Sequence, residues 1–458
     1  MAIESTNYQC PSCGGALRFS ADTGRLECDH CGSSFTVAQM EAEYADRLAR
    51  ADAAAVGAAS ADGTAADATE TAAGIAAPAD GTLANAGQST SATPMRTYTC
   101  SSCAAELVCD QTAAITQCPY CGNQAVAPGV LVDEFKPDLL IPFKLDKQAA
   151  TSALAAYYKG KKFLPNAFAA TNRIEKVQGV YVPFWLFDAD VAASATFEAT
   201  RSRTYRDGDD EVTETDHYDV FRAGEMSFAR VPVDGSSKMP DAHMDAIEPF
   251  DYSDLAPFSM AYLPGFAADR FDQDQETCHQ RAECRMASSM EQALRDTVEG
   301  YDSVTTQSCD AAVAWQGAEY CLLPVWMLYT SWRGKGFLFA MNGQTGKLVG
   351  DLPVSAFKVI AWFAGVFAVA LAVVTAAIMG LDLLADDAEL RIAAQYGIPV
   401  LVAGFVCLVF YSQMKTANEA TQANAFMQSE TFDLDEESDT FTYTSVTRVK
   451  VESSEDKD

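Results

Sequence analysis

Eight cysteines in two sets of identical spacing constrain this chain more than any other feature. Cys10 and Cys13 are followed, after fourteen intervening residues, by Cys28 and Cys31; Cys100 and Cys103 are followed in the same way by Cys118 and Cys121. The second set is the first shifted by 90 positions, and the shift also carries Tyr8 onto Tyr98, Leu17 onto Leu107 and Gly32 onto Gly122. Two CxxC pairs at about this separation read as a four-thiolate metal site, and their repetition reads as a duplicated unit.

The chemistry accounts for the spacing. Two intervening residues let both sulfurs of a CxxC turn face one ion, and two such turns complete a tetrahedron around zinc. A glycine after the second cysteine permits the left-handed backbone that the turn needs; Gly14, Gly32 and Gly122 stand there, with Ala104 the exception. Four thiolates leave no open position for water or substrate, so each site is expected to be structural. A ribbon of about thirty residues cannot bury a sufficient core, and structural zinc supplies ~10–16 kcal/mol of folding free energy at neutral pH. Two Zn2+ ions are therefore expected, although four thiolates accept iron as well. The alternative is reduced, metal-free pairs or disulfides. His30, between Cys28 and Cys31, reads as a loop residue, because the ligand set is already complete.

Residues 359–379, VIAWFAGVFAVALAVVTAAIM, contain neither charge nor proline. As a helix they would extend about 31 Å, the thickness of a bilayer's hydrocarbon core. A second apolar stretch, 392–411, carries Gln395 and Pro399. Two spans form a hairpin with both ends on one side. Lys347, Lys358 and Lys415 flank those ends, whereas the connection holds Asp382, Asp386, Asp387 and Glu389 against Arg391. The positive-inside bias puts both termini in the cytoplasm of a multi-pass cell-membrane protein. Thiolate metal ligands call for the same reducing side.

A formal net charge of −31 over 458 residues repels nucleic-acid phosphates and anionic headgroups, and neither ribbon carries the basic stripe of a nucleic-acid reader. The first residues, MAIESTNYQC, show no basic n-region and no apolar h-region, so no cleaved signal is expected. The chain divides into zinc ribbon 1 (1–37), a helical stub and flexible Ala/Asp-rich linker (38–95), zinc ribbon 2 (96–129), a cytoplasmic α+β domain with an antiparallel sheet (130–355), two transmembrane helices (357–380 and 392–411) joined by an extracytoplasmic loop (381–391), and an acidic cytoplasmic tail (412–458). Within the large domain, LLIPFKL (139–145) reads as a strand, Asp146 caps a helix through Tyr158, and VYVPFWLFDADV (180–191) reads as a buried strand and turn. Residues 206–217 form a hairpin tip, with strands near 217–221 and 226–233 and a helix over 275–298. Strands near 302–314 and 322–332 follow; the latter, LLPVWMLYTSW, echoes VPFWLF and suggests an internal duplication. FLFAM and KLVGD form a hairpin around an Asn-Gly turn. The tail segment 440–451 alternates like a strand; it either joins a sheet edge, docks, or stays disordered.

No catalytic constellation stands out. GQTGK (343–347) has two residues between its glycines and Leu348 after its lysine, so it is not a phosphate loop. Cys278 and Cys284 are six apart and do not share a helix face, and His279 marks no nucleophile pair. Asp188, Asp190, Glu248 and Asp251 are abundant carboxylates without an evident partner, and Trp185, Trp326 and Phe184 read as core anchors.

Taken together, the paired ribbons, PDLLIPFKL, VYVPFWLFDADV, LLPVWMLY, FAMNGQTGKLVGDLP and the apolar hairpin resemble the bacterial TFIIB-type zinc-ribbon membrane proteins. The resemblance implies cytoplasmic zinc ribbons on a membrane anchor, and partners such as phage-shock protein A-like and SPFH-domain proteins in envelope stress. The expected function is a non-catalytic scaffold or adaptor. The rivals are a membrane-tethered nucleic-acid regulator and an enzyme with its site in 130–355.

Overall fold

The computed structural model describes residues 10–15, 17–43, 45–46, 96–100, 106–109, 126–130, 137–171, 176–208, 210–380 and 388–450. The first cysteine set folds as an antiparallel meander of β1 (Leu17–Ser20), β2 (Arg25–Cys28) and β3 (Ser34–Phe35), followed by a helix, α1, over 37–43. Of the second set, the described backbone comprises β4 (Arg96–Cys100), β5 (Glu106–Cys109) and β6 (Val126–Val130), with β4 paired to both others. Cys103, Cys118 and Cys121 lie outside the described residues, as does the alanine-rich stretch.

Next come β7 (Leu139–Leu140), α2 (Lys147–Tyr157) and α3 (Asn166–Thr171). The expected cap is present: Asp146 accepts from the Ala149 amide at 2.7 Å. LLIPFKL is strand only over its first two residues.

The centre of the fold is a set of long strands. β8 (Lys176–Asp207) turns at Gly208 into β9 (Asp210–Asp234). At about 3.3 Å per residue, the 32 residues of β8 extend roughly 105 Å. After α4 (Asp241–Ala246), β10 (Ala256–Pro257), β11 (Ala267–Asp269) and α5 (Gln275–Asp296), the 30-residue β12 (Ser303–Trp332) returns along β8. The expected breaks inside these segments are absent: 180–191 contains no turn, 217–221 and 226–233 are one strand, and so are 302–314 and 322–332. Bulges at Phe187/Ala189, Thr306/Ser308 and Trp315/Gly317 bend the ladder without ending it. The two echoing segments are antiparallel neighbours, with Trp185 opposite Tyr320 and Tyr181 opposite Pro324.

The sequence pattern follows the layers. Near VYVPFWLF both faces are covered: Tyr181 joins a core with Phe143, Trp326 and Phe339, while Val182 and Phe184 join another with Leu323 and Val325. Farther along, α5 lays Cys278, Ala282, Met286, Met290 and Leu294 on Val191, Ala195, Phe197 and Val220, and the opposite face alternates to polar residues. The sheet is mixed rather than antiparallel throughout, since β11 runs parallel to β8 and β12 parallel to β7.

β12 turns into β13 (Lys335–Asn342), which pairs with β14 (Leu348–Gly350). The connection is not a two-residue Asn-Gly turn. Asn342 Oδ1 accepts from the amides of Gln344 and Thr345, and Gly346 carries the positive φ of 81°.

Two helices long and apolar enough to cross a membrane follow, α6 (Ala356–Gly380) and α7 (Ala388–Ser412). They are antiparallel: Trp362 packs on Phe410 at 5.1 Å, and at the far end Gln395 donates to Thr375 at 3.2 Å. Their outward faces are apolar and exposed, with Phe357, Ile360, Val369, Leu401 and Phe405 among them. The chain then re-enters the large domain and ends its described part as β15 (Asp433–Lys450), the outer strand beside β9. Of the three readings of the tail, the sheet-edge strand is the one observed.

Candidate metal centre

The two knuckles of the first set are built alike. Cys10 N donates to Gly15 O at 2.7 Å and Gly14 N to Cys10 O at 2.8 Å; in parallel, Cys28 N donates to Ser33 O and Gly32 N to Cys28 O, both at 2.9 Å. Gly14 and Gly32 hold φ of 73° and 71°, the left-handed conformation anticipated from the sequence. The turns aim four sulfurs at one point: the Sγ atoms of Cys10, Cys13, Cys28 and Cys31 all lie within 4.8 Å of one another. The Cys10–Cys31 and Cys13–Cys28 separations are 3.5 Å. Zinc–sulfur bonds of about 2.3 Å in a tetrahedron require roughly 3.8 Å.

Electrostatics make the same point. The Ser33 hydroxyl, 3.2 Å from Cys31 Sγ, and the Ser33 backbone draw the Cys31 thiol down to about 6. At Cys13 the Gly15 amide pulls downward, but the crowding sulfurs of Cys31 and Cys28 outweigh it and hold the thiol up at about 12. Four such sulfurs cannot all ionise without a cation among them. The donor set fits one zinc ion.

The ribbon is docked, not free. Phe19 N donates to Pro264 O at 3.1 Å, the Phe19 ring meets Tyr262 edge-on at 5.3 Å, and Leu17, Leu26 and Met40 join the core of the large domain. The second set is attached differently, through backbone pairing of β5 with β11. Cys100 lies at the end of β4. His30 is exposed, as expected of a loop residue.

The other candidates take structural roles. Burial pushes the Cys278 thiol up to about 12, with its sulfur 3.7 Å from Asp234 O; Cys284 is exposed on another side, and His279 stacks on Trp315 at 4.3 Å. Asp188 accepts from Arg230 N, Asp190 from Ser227 and Gln316, and Asp251 caps the turn at Ser253.

A buried charge cluster was not anticipated. Arg285 and Glu248, 4% and 7% exposed, face each other, with Nη2 2.6 Å from Oε2. Arg281 bridges Asp234 (2.9 Å) and Asp245 (3.0 Å). Desolvation raises both Glu248 and Asp234 to about 7, against the pull of their arginines. The cluster grips the segment after α7: Asp245 accepts from Ala420 N, Arg285 Nε donates to Gln422 O, and Ser289 accepts from Ala423 N. The i, i+4 spacing of Arg281 and Arg285 on α5 was the available signal; their acidic partners, 36 to 47 residues away, gave none.

No family model matches the chain. No solved structure matches it. Among curated proteins, the uncharacterized protein YdjG of Bacillus subtilis is 36% identical over 242 residues, which span 53% of this chain and 71% of that one.

Proposed function

The chain belongs to the family of YdjG, and from that premise we propose that it is a non-catalytic integral membrane scaffold. Its cytoplasmic zinc ribbons and α+β domain would bind partner proteins. The observation that carries this reading is the four-thiolate cluster, on a ribbon docked on the large domain that leads directly into two apolar helices. A saturated tetrahedron builds surface and shape, not a reaction site. In this reading a second zinc ion sits on Cys100, Cys103, Cys118 and Cys121.

Cations gathered where the helices enter the domain support a cytoplasmic placement. Lys161 donates to Gln413 O, Lys358 to Leu164 O, and Lys162 lies 5.7 Å from the centre of the Trp362 ring. The resemblance to TFIIB-type zinc-ribbon membrane proteins points to phage-shock protein A-like and SPFH-domain partners. Affinity purification of the full chain from solubilised membranes, with zinc measured in the same sample, tests the proposal. The expected result is two zinc ions per chain and co-purifying cytoplasmic proteins that are lost in Cys28→Ser and Cys118→Ser. Unchanged partner recovery in both variants would refute it.

A further inference from the structure

The outer edge of β15 is a self-complementary strand, and we propose that it pairs antiparallel with β15 of a second copy of this chain. Among the described residues β15 pairs on one side only, with β9, and nearly all of its length is exposed. Edges of this length are normally guarded by charge. Here the guard covers one half: Asp433, Asp435, Glu436, Glu437 and Asp439 precede eight uncharged residues, 440–447, and Arg448 and Lys450 follow. Phe441, Tyr443, Val446 and Val449 in the unguarded half are each at least half exposed. Glu437, Arg448 and Lys450 make no ion pair among the described residues, whereas Asp439 already pairs with Arg222 at 2.6 Å, so the free charges that a second copy would meet are Glu437, Arg448 and Lys450.

The charge order selects the direction. Parallel pairing would set acids beside acids, whereas antiparallel pairing sets the basic end against the acidic end. The bulge fixes the register. Between Phe441 and Tyr443 the ladder with β9 skips one residue, Thr442, so the side-chain alternation changes phase there. Residues opposite one another in a ladder share a face. By their β9 partners, Glu437, Asp439 and Phe441 therefore share a face with Thr444, Val446, Arg448 and Lys450.

A two-fold axis through Thr444, normal to the sheet and with Thr442 bulged in both copies, satisfies every one of these faces. Tyr443 then opposes Ser445 of the second copy, Phe441 opposes Val446, Asp439 opposes Arg448, and Glu437 opposes Lys450. Each pair occurs twice. Without the bulge the same charge pairs would fall on opposite faces. The axis lies near the β8–β9 tip, far from the base where α6 and α7 enter. The two apolar hairpins thus hang from opposite ends of the joined sheet, which lies along the bilayer when both copies share one membrane.

The test uses the full chain purified in detergent. Thr444→Cys, opposed to itself, is expected to form a disulfide-linked dimer under mild oxidation that the parent protein does not form. Ser438→Cys is expected to crosslink only when mixed with Val449→Cys. Glu437→Lys and Lys450→Glu should each weaken dimerisation about tenfold, and the double variant should restore it, because each swap changes two symmetric cross-strand pairs. A monomer in detergent, a dimer indifferent to both charge changes, or failure of the double variant to restore association would overturn the proposal. Folding of each variant is read independently from retention of zinc and of far-UV circular dichroism.

Discussion

Two segments are held against the same large domain by opposite means. At the N-terminal side the first ribbon touches it, among the described residues, through one backbone bond, Phe19 to Pro264, and a patch of side chains around Tyr262, on a scaffold that gathers four sulfurs. At the C-terminal side the segment after α7 is held by buried charges at Asp245 and Arg285 and then by a ladder running from Asp433 to Lys450. A metal bound by the four sulfurs would make the first attachment sensitive to thiol redox state and pH. The second is made of the fold itself.

The largest expected effect breaks the first attachment alone. Stripping the metal, or replacing Cys10 and Cys28 together by serine, removes ~10–16 kcal/mol of ribbon folding free energy. Trypsin should then cut at Arg18 or Arg25, while α5 and the paired strands β8, β12 and β15 stay protected. Protection of Arg18 and Arg25 in the metal-free protein would show that the domain, not the ion, holds the ribbon together.

The next effect falls on the other side. Glu248→Ala leaves buried Arg285 with only Asp245, 4.0 Å away, as a carboxylate, and truncating one partner of such a pair costs about 3–5 kcal/mol. Hydrogen exchange should rise across 418–426 and leave the ribbon unchanged. The joint replacement Glu248→Leu with Arg285→Met should recover most of the loss, since an apolar pair of similar volume avoids the desolvation penalty. No recovery in the joint variant would mean that Arg285 matters for its bonds to Pro232 O and Gln422 O more than for its charge partner.

These two attachments differ also in how far they could be read in advance. The metal site is local chemistry: spacing, glycines and ligand type specify it within 22 residues, and the structure gathers those four sulfurs as expected. The cap at Asp146, the α5 helix and the apolar spans are equally local signals. The docking of Phe19 on Tyr262 and the union of Arg285 with Glu248 are not. They join residues 243 and 37 positions apart, and neither side of either contact carries a pattern that names the other. Strand ends failed for a different reason. Bulges bend β8 and β12 where a turn was expected, because a bulge at Phe187/Ala189 breaks the alternation just as a chain reversal would.

A milder change sharpens the comparison by separating metal from docking. Phe19→Ala keeps all four thiols but removes the ring set against Tyr262, an interaction of about 1 kcal/mol beyond the area it buries. The variant should retain its zinc and show faster exchange at the Phe19 and Leu26 amides. Loss of zinc from this variant would show that docking and metal binding are one cooperative event.

The smallest effect is one of sign, and it sets the two attachments against each other. Burial raises Glu248 and Asp234 to about 7, well above the ordinary carboxylate range near 4. Between those values the folded protein binds protons that the unfolded chain would release. Their contribution to stability is therefore greatest at the acidic end of that window and falls as pH rises through about 7, by at most about 1.4 kcal/mol per pH unit for each group. The thiolate site runs the other way, because protons compete with the metal for sulfur. Lowering the pH from 7.5 to 6 should thus increase exchange in the ribbon while decreasing it across 418–426. Glu248→Gln, which cannot titrate, should blunt the response of the tail and leave that of the ribbon intact. Parallel responses of the two segments in the unmodified protein would show that they are coupled through the domain rather than held independently.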